Sequence, residues 1–255
     1  HDNVLFFTDR GRVFQTKVYE IPVGTRTSKG KPIHNFLEIP TEEKISAMIT
    51  YAKTSDGNLV MVTKNGLVKK TSLKGFDNVR RTGIIAIGLK KADQLNWVRL
   101  SPGGDDVIIT TSLGQSIRFQ EAKVRTMGRT ASGVRAIKLK GNDQVASMDL
   151  IPKGAKDSRL LVVMSNGYGK QTPLSQYKTQ GRGGSGIKTA AITSKTGQLV
   201  AAAVLDAEEE VLALSTKGQI IRTQLATIRK ASRATQGVRI MTLAPGDKVA
   251  GIVIL

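Results

Sequence analysis

Along this chain, short apolar runs alternate with polar turns, and one arrangement recurs. An apolar run ends in a two- or three-residue polar turn and a glycine, and a run carrying cations follows. The copies are Leu5-Phe6-Phe7-Thr8-Asp9-Arg10-Gly11, Val60-Met61-Val62-Thr63-Lys64-Asn65-Gly66, Ile108-Ile109-Thr110-Thr111-Ser112-Leu113-Gly114, Val162-Val163-Met164-Ser165-Asn166-Gly167 and Leu212-Ala213-Leu214-Ser215-Thr216-Lys217-Gly218. The five glycines lie 55, 48, 53 and 51 residues apart. Period-3.6 stretches are nearly absent and β-branched residues dominate the apolar runs, so the elements predicted are strands. Asn-Gly or Lys-Gly between such runs supplies the positive φ of a tight hairpin.

A second glycine follows each of the first at offsets of 19, 17, 19, 19 and 19 residues, giving Gly30, Gly83, Gly133, Gly186 and Gly237. Each precedes another short apolar run: Pro32-Ile33, Ile84-Ile85-Ala86-Ile87, Val134-Arg135-Ala136-Ile137, Ile187-Lys188-Thr189-Ala190 and Val238-Arg239-Ile240. A polar turn then leads into a last apolar strand, at 45–49, 95–100, 145–150, 199–205 and 249–255. Asp93, Asn142-Asp143 and Gly246-Asp247 supply three of those turns. The last strands are rich in small residues (Ala47; Ala146 and Ser147; Ala201, Ala202 and Ala203; Ala250 and Gly251), which suits converging inner strands.

Four short strands in each fifty-residue repeat predict an all-β propeller-like array of five four-stranded blades, in which neighbours bury each other's faces. The repeats fall at 1–56, 57–104, 105–157, 158–208 and 209–255, read as a single domain spanning 1–255. A linear β-solenoid is the competing architecture; its rungs are usually shorter. The chain opens at His1 rather than Met and is read as a piece of a longer protein.

Composition removes most chemistry. There is no cysteine, hence no disulfide framework, thiolate zinc site or cysteine nucleophile. The two histidines, His1 and His34, leave little for imidazole chemistry; His34 reads as a loop residue after Pro32-Ile33. No run of eighteen apolar residues appears, the length of a membrane-spanning helix. Lys and Arg number 39 against 20 Asp and Glu, a formal charge of +19, and an imbalance of that size points to a polyanionic partner.

The cations recur at equivalent places. The second hairpin strand carries Lys69, Lys70, Arg118, Lys170 and Arg222. Between it and the second glycine come Arg26 and Lys29; Arg80 and Arg81; Lys123, Arg125 and Arg129; Lys178 and Arg182; Arg229, Lys230 and Arg233. After that glycine come Lys31, Arg135, Lys188 and Arg239. The closing strands hold little charge, Arg99 and Asp149 being exceptions. The inner strands are therefore expected to form a neutral core and the outer strands and loops a basic rim; an isolated cation on an outer strand can equally be an ordinary solvated one. Aromatic residues make up 4% of the chain, too few for a stacking platform for single strands. No helix or ribbon fits the major groove to read bases. Sequence-neutral duplex binding through phosphates remains, with steep salt dependence and bending where the rim curves.

These residues resemble a known family. Asp9-Arg10-Gly11-Arg12-Val13 with Lys17-Val18-Tyr19-Glu20-Ile21-Pro22 and Gly30-Lys31-Pro32-Ile33 is similar to the second blade of the DNA gyrase A C-terminal domain. Asn65-Gly66-Leu67-Val68-Lys69-Lys70-Thr71 resembles the next blade. Ile117-Arg118-Phe119, Val124-Arg125-Thr126-Met127-Gly128 and Thr130-Ala131-Ser132-Gly133-Val134-Arg135 resemble the one after. Asn166-Gly167-Tyr168-Gly169-Lys170-Gln171-Thr172 and Ala234-Thr235-Gln236-Gly237-Val238 complete a match over the whole chain. The resemblance implies a β-pinwheel, whose blades exchange strands, that wraps duplex DNA around a basic perimeter. It implies a non-catalytic domain of an ATP-dependent type IIA topoisomerase that introduces negative supercoils. ATP and Mg²⁺ would be used elsewhere in the holoenzyme, with no cofactor or metal in this chain. The implied partners are duplex DNA, the remainder of gyrase A and gyrase B, with no membrane. The isolated domain would be monomeric and the location the bacterial cytoplasm, with the nucleoid.

The family's first blade carries a Gln-Arg-Arg-Gly-Gly-Lys-Gly box that is not found here, so the match covers blades two to six. A chain beginning after that blade, or a five-bladed homologue as in some topoisomerase IV enzymes, would account for this. The nearest string is Gln180-Gly181-Arg182-Gly183-Gly184-Ser185-Gly186, either a phosphate-approaching backbone or a permissive loop. Residues 4–7 would then face an open edge, expected to pair with the last strand, a partner chain or the missing blade. Two other classes stay open. A protein-interaction propeller would show exposed aromatic or Met anchors; Trp97 lies in a closing strand, where core packing is expected. A propeller enzyme would need facing carboxylates, whereas Glu42-Glu43, Asp105-Asp106 and Glu208-Glu209-Glu210 lie in turns. None of Tyr19, Tyr51, Tyr168 and Tyr177 sits in the context of a DNA-cleaving nucleophile.

Overall fold

The computed structural model describes residues 2–25 and 28–255. Among them the regular elements are β-strands and short 3-10 turns. The chain divides into two compact units, residues 1–103 with 124–135, and residues 104–123 with 136–255.

The first unit holds two antiparallel sheets. One joins β1 (Asn3–Thr8), β2 (Arg12–Lys17), β3 (Ile45–Tyr51) and β6 (Ile84–Ile85) in the order β3-β1-β2-β6. The other joins β4 (Asn58–Thr63), β5 (Leu67–Ser72), β7 (Leu95–Ser101) and β10 (Val134–Arg135) in the order β10-β5-β4-β7. β1 is buried along its whole length, which is why it reads as an unbroken apolar run rather than an alternating one. Leu5, Phe7, Leu59, Met61 and Phe76 form the centre of this core, with Phe7 edge-on to Phe76 at 6.1 Å between ring centroids. Residues 4–7 do not form an edge: β1 pairs with β2 on one side and β3 on the other. That expectation treated the first strand in sequence as the first in space, whereas the first hairpin strand of each repeat lies inside its sheet.

The second unit holds three. β8 (Asp106–Thr111), β9 (Gln115–Gln120), β11 (Val145–Ile151) and β14 (Ile187–Lys188) run β11-β8-β9-β14. β12 (Arg159–Met164), β13 (Tyr168–Pro173), β15 (Leu199–Leu205) and β18 (Val238–Arg239) run β15-β12-β13-β18. β16 (Glu210–Ser215), β17 (Ile220–Gln224) and β19 (Val249–Ile254) form a three-stranded sheet, β17-β16-β19, so the expected fourth strand is absent there among the described residues.

The fourth strand of each complete sheet comes from the following repeat. β6 docks on β2, β10 on β5, β14 on β9 and β18 on β13. This is the strand exchange of a pinwheel. In the first repeat the corresponding residues form a 3-10 turn, Ile33–Asn35, instead, with the exposed His34 ring bonded to the Ile39 carbonyl.

Local chemistry explains the repeat. The five hairpin glycines have φ between +77° and +85°, which glycine adopts without the Cβ penalty. Three residues before four of them, Thr8, Thr63, Thr111 and Ser215 accept a hydrogen bond from the amide that follows the glycine. A register shift recurs where the first strand of each hairpin meets its closing strand, as at Phe7/Thr8 and Leu214/Ser215. The turn aspartates brace the same hairpins. Asp143 accepts from the Ser112 hydroxyl and the amides of Leu113 and Gln144, all at 2.9 Å. Asp93 takes the amides of Asn65 and Gln94 in the same way.

The second glycine allows close approach. A Cβ on Gly133 would lie 2.5 Å from the Val68 carbonyl oxygen, and one on Gly237 2.3 Å from that of Gly169. Only glycine lets the arm lie this close to the strand it joins.

Candidate nucleic-acid interface

In the four complete sheets the closing strand forms one edge and the exchanged arm the opposite one. Closing strands pack on closing strands, β3 against β7 in the first unit and β15 against both β11 and β19 in the second; small residues on β3, β11, β15 and β19 permit this. Trp97 on β7 is half-buried. The arms carry a recurring set of exposed cations, although Arg99 on β7 is exposed as well. Arg135 on β10, Lys188 on β14 and Arg239 on β18 are each the second residue of their short strand, and all three are exposed. Ahead of them along the arms, Arg80, Arg81, Lys123, Arg125, Lys178, Arg182, Arg229 and Lys230 are exposed, as are Lys29 and Lys31 in the first repeat. Arg26 lies outside the described residues.

Four predicted cations are placed otherwise. Lys69 and Lys170 have no exposed surface. Both lie where the following arm folds over their strand, so neither can meet a ligand. Burial first, and then the nearby Arg129 or Arg233 guanidinium, pulls each ammonium down to about 8. Arg118 is an internal brace. Its Nε donates to Asp106 at 2.7 Å, and its Nη1 reaches the carbonyls of Leu174 and Tyr177 at 3.3 Å. Arg222, at the same repeat position, is exposed but paired with Glu210, whose hydrogen bonds and charge raise its pKa. The strand-start acids Asp106 and Glu210 thus neutralise both arginines. Lys70 is half-buried.

Arg129, Arg182 and Arg233 all stand four residues before a second glycine. Arg129 Nη1 donates to the Ile85 carbonyl at 3.3 Å and Arg233 Nη1 to the Lys188 carbonyl at 3.0 Å, each tying its arm to the preceding one. Arg182 Nε reaches the Lys123 carbonyl at 3.4 Å. In the Gly-rich string, the amides of Gln180 and Gly183 donate to the carbonyls of Arg118 and Ala136. Those two donors hold the loop to its own protein.

The sequence reading missed Lys195 and Lys248. Lys195 Nζ and the Arg239 guanidinium each lie 5.5 Å from the centre of the Tyr168 ring. Arg239 also donates to the Tyr168 hydroxyl at 3.1 Å, which lowers that phenol's pKa. With Lys248 they line a concave surface of about 350 Å³. Both lysines lie beside turns, where no repeat position flagged them. No group of three or more His, Asp or Glu able to hold a metal occurs among the described residues. No helix there is long and apolar enough to cross a membrane.

Strand-exchanging sheets with small-residue closing strands at one edge and cationic arms at the other define a propeller or pinwheel protein. The sequence matches the family described as DNA gyrase C-terminal domain, beta-propeller, over residues 2–50, 57–102, 105–152, 159–206 and 209–255, and the chain belongs to that family. The DNA gyrase A protein of Staphylococcus epidermidis (strain ATCC 12228) is 43% identical over 254 residues, 99% of this chain. Its counterpart in Staphylococcus aureus (strain NCTC 8325) is 42% identical over 254 residues, again 99% of this chain. The chain spans 28% of the length of each relative. Among solved structures, the C-terminal domain of DNA topoisomerase IV superposes with a TM-score of 0.90 at 26% identity, covering 100% of this chain and 79% of that one. The DNA gyrase A C-terminal domain superposes with a TM-score of 0.86 at 22% identity, covering 100% and 83%.

Proposed function

We propose that this chain binds duplex DNA without reading its sequence and bends it along the arm-bearing edges of its sheets. It would do so as a non-catalytic part of an ATP-dependent type IIA topoisomerase of the DNA gyrase kind. One observation carries the reading: Arg135, Lys188 and Arg239 occupy the same exposed place on the outermost strands of three sheets, opposite the closing strands. Phosphate contacts of this kind release counterions, and each contributes about 0.9 to the slope of log affinity against log salt. Bending a short site costs on the order of 1–6 kcal/mol, offset by the contacts the bend adds. The implied partners are the remainder of gyrase A and gyrase B, which would supply cleavage and use ATP with Mg²⁺, in the bacterial cytoplasm with the nucleoid. The same role within topoisomerase IV is the second reading, favoured by the superposition on that enzyme's C-terminal domain.

The test is duplex binding across salt concentrations, with the duplex ends labelled to report their approach. A steep negative slope with end approach supports binding and bending. Binding without end approach removes bending. Absence of binding at low salt overturns the proposal. The two enzymes are separated by adding ATP and relaxed circular DNA to the assembled holoenzyme, because only gyrase introduces negative supercoils.

A further inference from the structure

Lys69 and Lys170 stand three residues past hairpin glycines Gly66 and Gly167, where the other repeats carry Phe14, Ile117 and Ile221. A lysine in an apolar position, with no exposed surface, needs a reason. Neither forms an ion pair with a carboxylate among the described residues. The ammonium groups instead bond to oxygens of the following repeat's arm and, for Lys69, also of its own repeat's arm. Lys69 Nζ donates to the carbonyls of Arg129 and, at 2.6 Å, Ala86. Lys170 Nζ donates to the Ser232 carbonyl at 2.6 Å, the Arg233 carbonyl at 2.5 Å and the Thr235 hydroxyl at 3.1 Å.

Arg129 and Arg233 are equivalent, each four residues before its glycine. Each is held twice, its carbonyl by a buried lysine and its guanidinium by the preceding arm's carbonyl at Ile85 or Lys188. The lysine-held arms are also the two that read Arg-x-x-x-Gly-Val-Arg: Arg129 to Arg135 and Arg233 to Arg239. The arm over Ile117 keeps the arginine and glycine, Arg182 and Gly186, but continues with Ile187-Lys188 in place of Val-Arg.

We propose that Lys69 and Lys170 are positioning residues for the polyanion-binding edge. Each holds the arm of the following repeat docked, so that Lys123, Arg125 and Arg135 in one case, and Arg229, Lys230 and Arg239 in the other, stand in register. The inference rests on the proposed function for what the arms bind, but not for how they are held. It makes these ammonium groups act on the ligand without touching it.

The test is the double variant Lys69→Met/Lys170→Met, which keeps the aliphatic bulk and removes the ammonium groups. Amide hydrogen exchange is measured without DNA, and binding to a mixed-sequence duplex is measured across salt. The expected results are faster exchange confined to residues 123–135 and 229–239, and a salt slope shallower by about 2 to 4, although neither lysine can reach a phosphate. A merely structural role would lower the melting temperature and leave the slope of the folded protein unchanged. Wild-type exchange in the arms overturns the latch, even where the wild-type protein binds duplex steeply. A wild-type protein that shows no steep slope overturns the functional reading and the lysines' part in binding with it. Should the double variant not fold, Thr235→Val removes one of the three oxygens around Lys170 and no charge. It is expected to speed exchange over 229–239 alone, and unchanged exchange there overturns the latch.

Discussion

Replacing Gly133 by Ala tests the strand exchange at one atom. Gly133 sits at φ +85°, and a Cβ there would lie 2.5 Å from the Val68 carbonyl oxygen and 3.2 Å from Lys69 Cβ. The left-handed conformation costs a non-glycine residue about 1–2 kcal/mol. The carbonyl belongs to β5 and cannot swing aside within its ladder, so the arm must lift. Lifting breaks the pairing of Val134 with Val68 and Arg135 with Leu67, at about 0.5–1.5 kcal/mol per hydrogen bond. The sum is a loss of about 2–5 kcal/mol, read as a lower urea midpoint at unchanged slope. Gly30 is the internal control. It belongs to the same repeat position, yet has nothing within 4 Å of its Cβ site and no left-handed φ. Gly30→Ala is expected to stay within about 0.5 kcal/mol of the parent. Equal midpoints for the two variants would refute the account of why the second glycine recurs.

Arg118→Met takes away the ion-pair partner of Asp106, which keeps only the Thr179 hydroxyl at 3.3 Å, and one donor each from the Leu174 and Tyr177 carbonyls, for an expected loss of about 2–4 kcal/mol in urea; its duplex salt slope should match the parent's, because this guanidinium is turned inward. Asp143→Ala removes the acceptor for three donors around the Ser112 turn and should cost about 1–3 kcal/mol in the same assay. Asp247 is desolvated, which works upward, yet hydrogen bonds from Ser215, Thr216 and the amides of Lys248 and Lys217 hold it down to about 2. A carboxylate depressed on folding adds stability above its unfolded value, lost as pH falls through its folded one. Melting temperature should therefore fall more between about pH 4 and pH 2 in the parent than in Asp247→Asn.

Much of the repeat was legible because its signals are local. A hairpin glycine with positive φ needs only its own turn, and the closing strands predicted at 95–100, 145–150 and 199–205 lie within one residue of β7, β11 and β15. Where the second glycine's run would pair was not local information. Nothing in Gly133-Val134-Arg135 says that it docks on the preceding repeat's β5; the exchange came from family resemblance. Burial of individual cations follows from that pairing and was missed for the same reason. Lys69 and Lys70 are adjacent and of one type, yet only Lys69 lies wholly under the incoming arm. Arg118 and Arg222 were misjudged because their partners, Asp106 and Glu210, begin the neighbouring strand and read as turn acids.

The central claim is that the exposed arm cations meet the phosphates. It is tested most directly by the salt dependence of duplex binding in the parent and in Arg135→Gln/Lys188→Gln/Arg239→Gln. All three side chains are exposed on short outer strands, so the fold should be kept, and a circular dichroism melt checks it. The account predicts a slope shallower by about 2.7 and weaker binding at every salt concentration, irrespective of duplex sequence. A folded variant with the parent's slope would contradict it and place the polyanion elsewhere.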